Sequence, residues 1–189
     1  MSKNIYIVLT RTPTNLSKAI RFFTKKPYNH ISLALDDRLF YLYSFGRRRP
    51  KNPFITGFIR EDIDRGFYHY YSATTCIVYA LTISEAQYER LQSYLRPFLQ
   101  DPLKYSFNFI GLISCGLHIP FSRKNRYFCS QFVSEALERS GIVCFHRDFR
   151  LIQPTDFLEL PNLREIYHGK ITEFKEMAEP GLIRQAVAK

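Results

Sequence analysis

The sequence predicts an α+β protein in which an antiparallel sheet packs against helices. Short segments of alternating polarity that are rich in β-branched residues predict the strands. Apolar residues at helical spacing predict the helices, which are flanked by capping residues or by a glycine. The predicted strands are residues 5–10, 30–35, 39–45 and 74–82, and the main predicted helices are residues 16–24, 84–99 and 129–140.

The N-terminal half of the sheet is predicted from a strand, a helix and a hairpin. After the first strand, residues 12–15 have the composition of a turn and a helix cap. Residues 36–38, Asp-Asp-Arg, form a turn between two β-rich runs, which therefore pair as a hairpin. If this turn has three residues, Leu35 pairs with Leu39, and this pairing sets the register of the two strands.

Local capping signals mark the helices of the C-terminal half. Ser84 and Gln87 form a capping box in front of an amphipathic run. A further helix is predicted over residues 106–117, and Gly141 is expected to end the helix that begins at Cys129.

The C-terminal end is predicted to be less regular. Residues 154–158 suggest a short helical turn, and residues 163–168 and 171–174 are expected to pair as a terminal hairpin. The residues after about 180 are expected to form a loosely held tail on one domain that spans residues 1–189.

The amino-acid composition limits which binding partners and which cellular compartment are expected. Lys and Arg number 27 against 17 for Asp and Glu, so the net charge of +10 favours anionic partners. A nucleic-acid partner is not expected, because no recognition motif is visible and the basic residues lie in loops. The apolar runs are too short for a transmembrane span or a secretory signal, and we expect a cytoplasmic protein. None of the four cysteines lies in a CxxC pair, so free thiols and no zinc site are expected.

Cys129 stands at the start of a strongly patterned helix. Helix starts carry unpaired N–H groups and the positive end of the macrodipole, so the pKa of this thiol is expected to fall below its free value of about 8.5. The alternative interpretation is a small buried packing residue. Packing is the role we predict for the other three cysteines, Cys76, Cys115 and Cys144.

His30 opens a predicted strand whose same-face neighbours are the small residues Ser32 and Ala34. Small neighbours leave room for a helix or a substrate over that face, so His30 is the first candidate for a general base. A hydrogen-bonded histidine at a strand edge is the alternative. His118 is the second candidate.

The order of these two motifs carries a resemblance to a known superfamily. A histidine strand followed later by Tyr-Phe-Cys-Ser-Gln-Phe-Val at residues 127–133 resembles the circularly permuted branch of the NlpC-type papain-like superfamily. This branch includes YiiX-like amidases and, more distantly, lecithin–retinol acyltransferase-like proteins. The resemblance implies an antiparallel sheet with the cysteine helix packed on it, Cys129 as nucleophile and His30 as base. It implies no metal or organic cofactor.

The resemblance also implies a polar residue that orients the histidine, and here the sequence leaves alternatives. The three-residue turn places Ser44 opposite His30, whereas a two-residue turn would place Phe45 there instead. Glu61 is the alternative orienting residue if its loop folds back. Tyr105 occupies the place of a tyrosine that points at the site in related proteins, where its hydroxyl would donate to an oxyanion. Aromatic packing is the other interpretation of Tyr105.

The function expected from these residues is hydrolysis of an amide bond in a small-molecule, peptide or lipid-like substrate. Two alternatives stay open: a lipid acyltransferase or thioesterase of the same fold, and a catalytically inactive ligand-binding domain. Three basic clusters flank the predicted site elements and would form a positive rim for an anionic substrate, unless they are only solvated loops. These clusters are Lys25 and Lys26; Arg47, Arg48, Arg49 and Lys51; and Arg123, Lys124 and Arg126.

Overall fold

The protein is a mixed α/β structure built on one six-stranded antiparallel sheet. The computed structural model describes residues 2–13 and 27–174, so the helix predicted at residues 16–24 and the predicted tail lie outside the described residues. The strands are β1 (Ser2–Arg11), β2 (His30–Ala34), β3 (Leu42–Arg49), β4 (Asn52–Glu61), β5 (Thr75–Ser84), β6 (Ser106–Phe107), β7 (Arg126–Tyr127) and β8 (Arg164–Lys170). The α-helices are α1 (Gly66–Tyr70), α2 (Glu85–Gln100), α3 (Phe109–Gly116) and α4 (Cys129–Arg139).

The sheet has the order β4-β3-β2-β1-β5-β8. Strand β1 lies inside it and pairs with β2 and β5, so that Thr10 stands between His30 and Cys76. Strands β6 and β7 form a separate parallel pair. Strand β3 continues to Arg49, whereas most of the extra length of β1 lies at the other end of β2, beyond the pairing of Tyr6 with Ala34. At the start of β2, Thr10 of β1 pairs with His30 and accepts a hydrogen bond from the N–H of Asn29.

Side-chain alternation along the strands gives the sheet two buried faces. On the first face, Ile7 and Leu33 pack with Leu95 of α2 and Phe132 of α4. On the second face, Val8 packs with Tyr68 of α1, and with Ile171 and Phe174 at the end of the described chain. The prediction of an antiparallel sheet with the Cys129 helix packed on it is confirmed at this level.

Helix α4 is buried on nearly every side. Every residue from Cys129 to Leu137 is buried, including the polar Ser130, Gln131 and Glu135. Gly141 ends the helix as predicted: its φ is 66°, and the N–H of Ile142 donates to the carbonyl of Leu137 at 2.9 Å. The helix is therefore held along its length and cannot easily shift along the sheet.

The β2–β3 connection differs from the predicted three-residue turn. Strand β3 begins at Leu42, and Leu33 pairs with Tyr43. The carboxylate of Asp36 accepts hydrogen bonds from the backbone N–H groups of Arg38 and Phe40, which lengthens the turn. The predicted pairing of Leu35 with Leu39 was therefore wrong, and the register is shifted.

The C-terminal elements confirm some predictions and correct others. The capping box is present, since Ser84 and Gln87 exchange both hydrogen bonds. The predicted terminal hairpin was wrong, because β8 runs through Gly169 and pairs with β5. Helix α3 is shorter than predicted because the side chain of Asn108 caps it, accepting from the N–H of Gly111 at 3.0 Å. Among the described helices, none is long and apolar enough to cross a bilayer.

Candidate functional site

A cavity of about 90 Å³ lies at the beginning of β2. Both predicted catalytic side chains, His30 and Cys129, line it. The rest of the lining combines polar groups with an apolar wall. These lining residues are Thr12, Asn29, Phe45, Gly46, Arg47, Thr56, Ile59, Glu61, Phe67, Phe107, Phe109 and Leu112.

The two side chains come from opposite faces of the sheet. Ile31 and Leu33 belong to the first face, the face on which Cys129 packs. Alternation along β2 puts His30 and Ser32 on the second face. Both nevertheless line one cavity, which lies at the end of the strand where His30 begins β2. The sequence had placed a helix or a substrate over the small face of β2, and in the structure Ser32 and Tyr68 of α1 are both fully buried there.

Cys129 is the first residue of α4 and is only 4% exposed. Burial raises the pKa of its thiol to about 11, although the backbone N–H groups of Ile31, Ser130 and Cys129 act in the opposite direction. The expectation of a pKa below the free value was therefore wrong. The helix start does supply favourable dipoles, but the loss of water around the sulfur outweighs them.

His30 is uncharged at neutral pH. Protein surrounds the ring except at the cavity, and this burial lowers its pKa from about 6.5 to about 4. Its Nε2 lies 3.3 Å from Oγ of Ser32. When Nε2 carries the ring hydrogen and donates it to Ser32, Nδ1 is the nitrogen that can accept a proton from a reaction partner.

Ser44 does not orient His30. Its hydroxyl donates to the backbone carbonyl of Ile31 at 2.6 Å. Continuing the register of Leu33 with Tyr43 places Gly46, rather than Ser44, opposite His30. A β-carbon on Gly46 would lie 3.6 Å from Cε1 of His30, which agrees with this register.

Glu61 supplies a carboxyl group to the same cavity. It is the last residue of β4, so it reaches the site from a strand and not from a loop that folds back. Burial raises its pKa to about 8, an effect that the nearby hydroxyl of Tyr68 partly offsets. Glu61 is therefore mainly protonated at neutral pH.

Tyr68 connects the carboxyl to the histidine side of the site. Its buried hydroxyl lies near Ser32, Thr10 and Glu61 but has no hydrogen-bond partner among the described residues. The order Glu61, Tyr68, Ser32, His30 thus forms a column of polar groups on the second face. Sequence reasoning missed Tyr68, because only the fold shows that α1 covers the small face of β2.

Tyr105 lies in the aromatic core instead of the cavity lining. Its ring is 4.3 Å from that of Phe98 between centroids, and its side chain is buried. Its backbone carbonyl accepts from Arg48 at 2.7 Å. This position matches the aromatic-packing interpretation, and the oxyanion role has no support from it.

The other three cysteines and His118, the second candidate base, are not among the residues that line the cavity. Cys76 and Cys115 are buried, as expected for packing residues. Cys144 is exposed, with Sγ 3.6 Å from Nδ1 of His146, so the packing prediction was wrong for it. His118 is exposed just after α3 and does not line the cavity.

The charged surroundings of the cavity are mainly basic. Arg47 lines it, whereas Arg48 is turned inward and donates to the carbonyls of Pro102 and Tyr105. A second groove of about 420 Å³ adjoins it and shares Arg47 and Glu61. Lys25 and Lys26 lie outside the described residues. Across residues 2–13 and 27–174, no three His, Cys, Asp or Glu side chains are grouped so as to hold a metal ion.

Comparisons with known proteins give no match: no family model, no curated protein and no solved structure matches the chain. The class that the structure defines is thus a mixed α/β protein with a six-stranded antiparallel sheet. The thiol, imidazole and carboxyl around one small cavity define the candidate site.

Proposed function

We propose that this chain is a thiol hydrolase of permuted papain-like fold that cleaves an amide bond through Cys129 and His30. One observation carries the proposal: the thiol at the start of a buried helix and the imidazole at the start of β2 line the same cavity. These two groups are the minimum parts of a cysteine nucleophile site.

The protonation states decide how the reaction would begin. Proton transfer from a thiol with a pKa of about 11 to an imidazole with a pKa of about 4 costs about 10 kcal/mol for groups that do not interact. Even two unit charges in direct contact would recover only about 4 kcal/mol at an effective dielectric constant of about 20. The resting site therefore holds a neutral pair, and His30 acts as a general base while the sulfur attacks.

The proposed hydrolysis needs only the two side chains, backbone N–H groups and water. The thiol proton moves to Nδ1 of His30 as sulfur bonds to the amide carbonyl carbon, and the carbonyl oxygen becomes an oxyanion. Backbone N–H groups at the start of α4 are the nearest candidates to stabilise that oxyanion, since they already face the sulfur. Collapse breaks the C–N bond, and His30 returns its proton to the leaving amine. Water then attacks the thioester, and the acid product and the free thiol are released.

The polar column gives His30 its orienting group. Ser32 holds Nε2 at 3.3 Å, and Tyr68 and Glu61 lie behind it. In this proposal Ser32 is a positioning residue, and the protonated Glu61 keeps the column free of a net charge at neutral pH. Arg47 on the cavity wall favours a substrate with an anionic group near the scissile bond.

A lipid acyltransferase or thioesterase is the second candidate. The wall of Phe107, Phe109 and Leu112 favours it, because an acyl chain needs an apolar surface beside the thiol. A catalytically silent binding domain is the remaining alternative, and the neutral resting pair is the observation that favours it.

The test is acylation of Cys129 by an activated amide and an activated ester, p-nitroanilide and p-nitrophenyl acyl derivatives, with the adduct located by mass spectrometry. A Cys144→Ser background removes the exposed thiol. We expect an adduct on Cys129, a normal solvent deuterium isotope effect on its formation, and loss of both in His30→Ala. The matched control Cys115→Ser, which removes another buried thiol, should acylate normally.

Several outcomes separate the alternatives. Faster turnover of the ester than of the amide, with transfer to an added alcohol, favours the acyltransferase. Acylation of Cys129 at the same rate in His30→Ala would refute the general-base role. No adduct on a folded protein would leave the binding domain as the better description.

A further inference from the structure

Helix α3 turns an apolar face outward. Ile113 and Leu117 are each 66% exposed, and Ile110 is also exposed. These positions follow the i, i+3, i+7 spacing of one helix face. The buried side of the helix carries small residues, Gly111 and Cys115. Residues 107–119 contain no Lys, Arg, Asp or Glu, so nothing within this segment masks the apolar face with charge.

The β3–β4 hairpin presents a second apolar group beside the same cavity. Phe54 is 88% exposed near the start of β4. Alternation places it on the same face of β4 as Thr56, which lines the cavity. Phe109 and Leu112 of α3 line that cavity as well. Phe54, Ile110, Ile113 and Leu117 are named here the apolar rim, because the elements that carry them border the cavity.

Within the two segments that carry the apolar rim, all charged residues have one sign. Residues 38–60 and 102–134 contain no Asp or Glu. Arg49 and Lys51 lie at the hairpin turn, and Arg123 and Lys124 are in the loop after α3. A protruding apolar surface bordered by basic side chains has the complementarity needed to bind an anionic lipid surface.

We propose that the apolar rim is a membrane-contact surface that seats this protein on an anionic bilayer and brings the cavity to the level of the headgroups. An apolar peptide partner fits less well, because the rim protrudes from a helix face and a hairpin and is not a groove. A second copy of the chain fits less well, because two such basic surfaces would repel each other. This inference goes beyond the proposed hydrolase and does not depend on it.

The experiment is flotation of the full chain with phosphatidylcholine vesicles, with and without phosphatidylserine. We expect binding that needs phosphatidylserine and weakens as salt is added. Ile113→Ser with Leu117→Ser should weaken the partition coefficient about tenfold or more. The control Phe40→Ser, at an exposed phenylalanine in the β2–β3 connection, should bind like the unchanged protein.

Two further variants, each with its own control, test the charge and the depth of the contact. Arg123→Ala with Lys124→Ala should weaken binding to anionic vesicles more than the charge-matched pair Lys3→Ala with Arg38→Ala at the far end of the sheet. The chain has no tryptophan, so Ile113→Trp gives one fluorophore, whose emission should shift to the blue on vesicles. The same shift for Phe40→Trp, equal binding of all variants, or a dimer through the rim without vesicle binding would overturn the proposal. Acylation of Cys129 without vesicle binding would overturn it and leave the hydrolase standing.

Discussion

Replacing Glu61 by glutamine is expected to stabilise the protein at alkaline pH and to change little in acid. An unfolded glutamate loses its proton near pH 4.5, whereas the buried Glu61 keeps its proton up to about pH 8. Between these values the folded state binds more protons than the unfolded state, so stability falls as pH rises. At 1.36 kcal/mol per pH unit the full loss is roughly 5 kcal/mol, an upper bound because part of the side chain reaches the cavity. Glutamine has the shape of the protonated acid and never titrates, so this loss disappears.

Urea denaturation between about pH 4.5 and 9 measures the effect. The difference in free energy of unfolding between Glu61→Gln and the unchanged protein should be near zero at the acid end and grow steadily towards pH 8. Any contribution of His30 is common to both proteins and cancels. Glu159→Gln, at an exposed glutamate, is the matched control and should give a flat difference. A difference that is flat for Glu61→Gln as well would refute the argument that Glu61 is buried and protonated.

Three other substitutions test the orientation of the histidine, the core and a helix end. Ser32→Ala removes the partner of Nε2 of His30, so acylation of Cys129 should slow about tenfold or more with the free energy of unfolding little changed; an unchanged rate would exclude Ser32 as a positioning residue. Phe45→Ala removes a ring that contacts four other aromatic rings and should cost about 3–5 kcal/mol in urea denaturation; a cost below about 1 kcal/mol would contradict the described core. Gly141→Ala strains a residue with φ of 66° and should cost about 1 kcal/mol in the same assay, and a more stable variant would show that the helix ends differently.

Local signals predicted the elements whose ends are set by neighbouring residues. The start of α2 follows from Ser84 and Gln87, which bond to each other across three residues. The end of α4 follows from Gly141, because the left-handed backbone conformation at this position favours glycine. Pairing between strands that are distant in the sequence could not be predicted from neighbouring residues. Strand β8 pairs with β5 across about ninety residues of chain, and a glycine-lysine pair within it was mistaken for a turn.

In the candidate site, too, local patterns predicted some features, whereas features set by long-range packing were missed. The positions of His30 and Cys129 at element starts were readable from local patterns, and the cavity that both line is a property of the fold. The pKa of the thiol was misjudged because the helix start is a local effect, whereas burial is set by everything packed around the sulfur. Ser44 was selected because the predicted register placed it opposite His30. Hydrogen bonds to Asp36 lengthen the turn, and the observed register is therefore different. Tyr68 belongs to a short helix whose resting place no local pattern specifies.

A sheet normally separates the packing layers on its two sides, but in this protein residues of both layers line one cavity at the start of β2. Thiol chemistry in the layer of α4 is therefore open to influence from the layer of α1, and a change in the packing of Phe67 or Tyr68 can alter the reactivity of a sulfur that neither residue needs to touch.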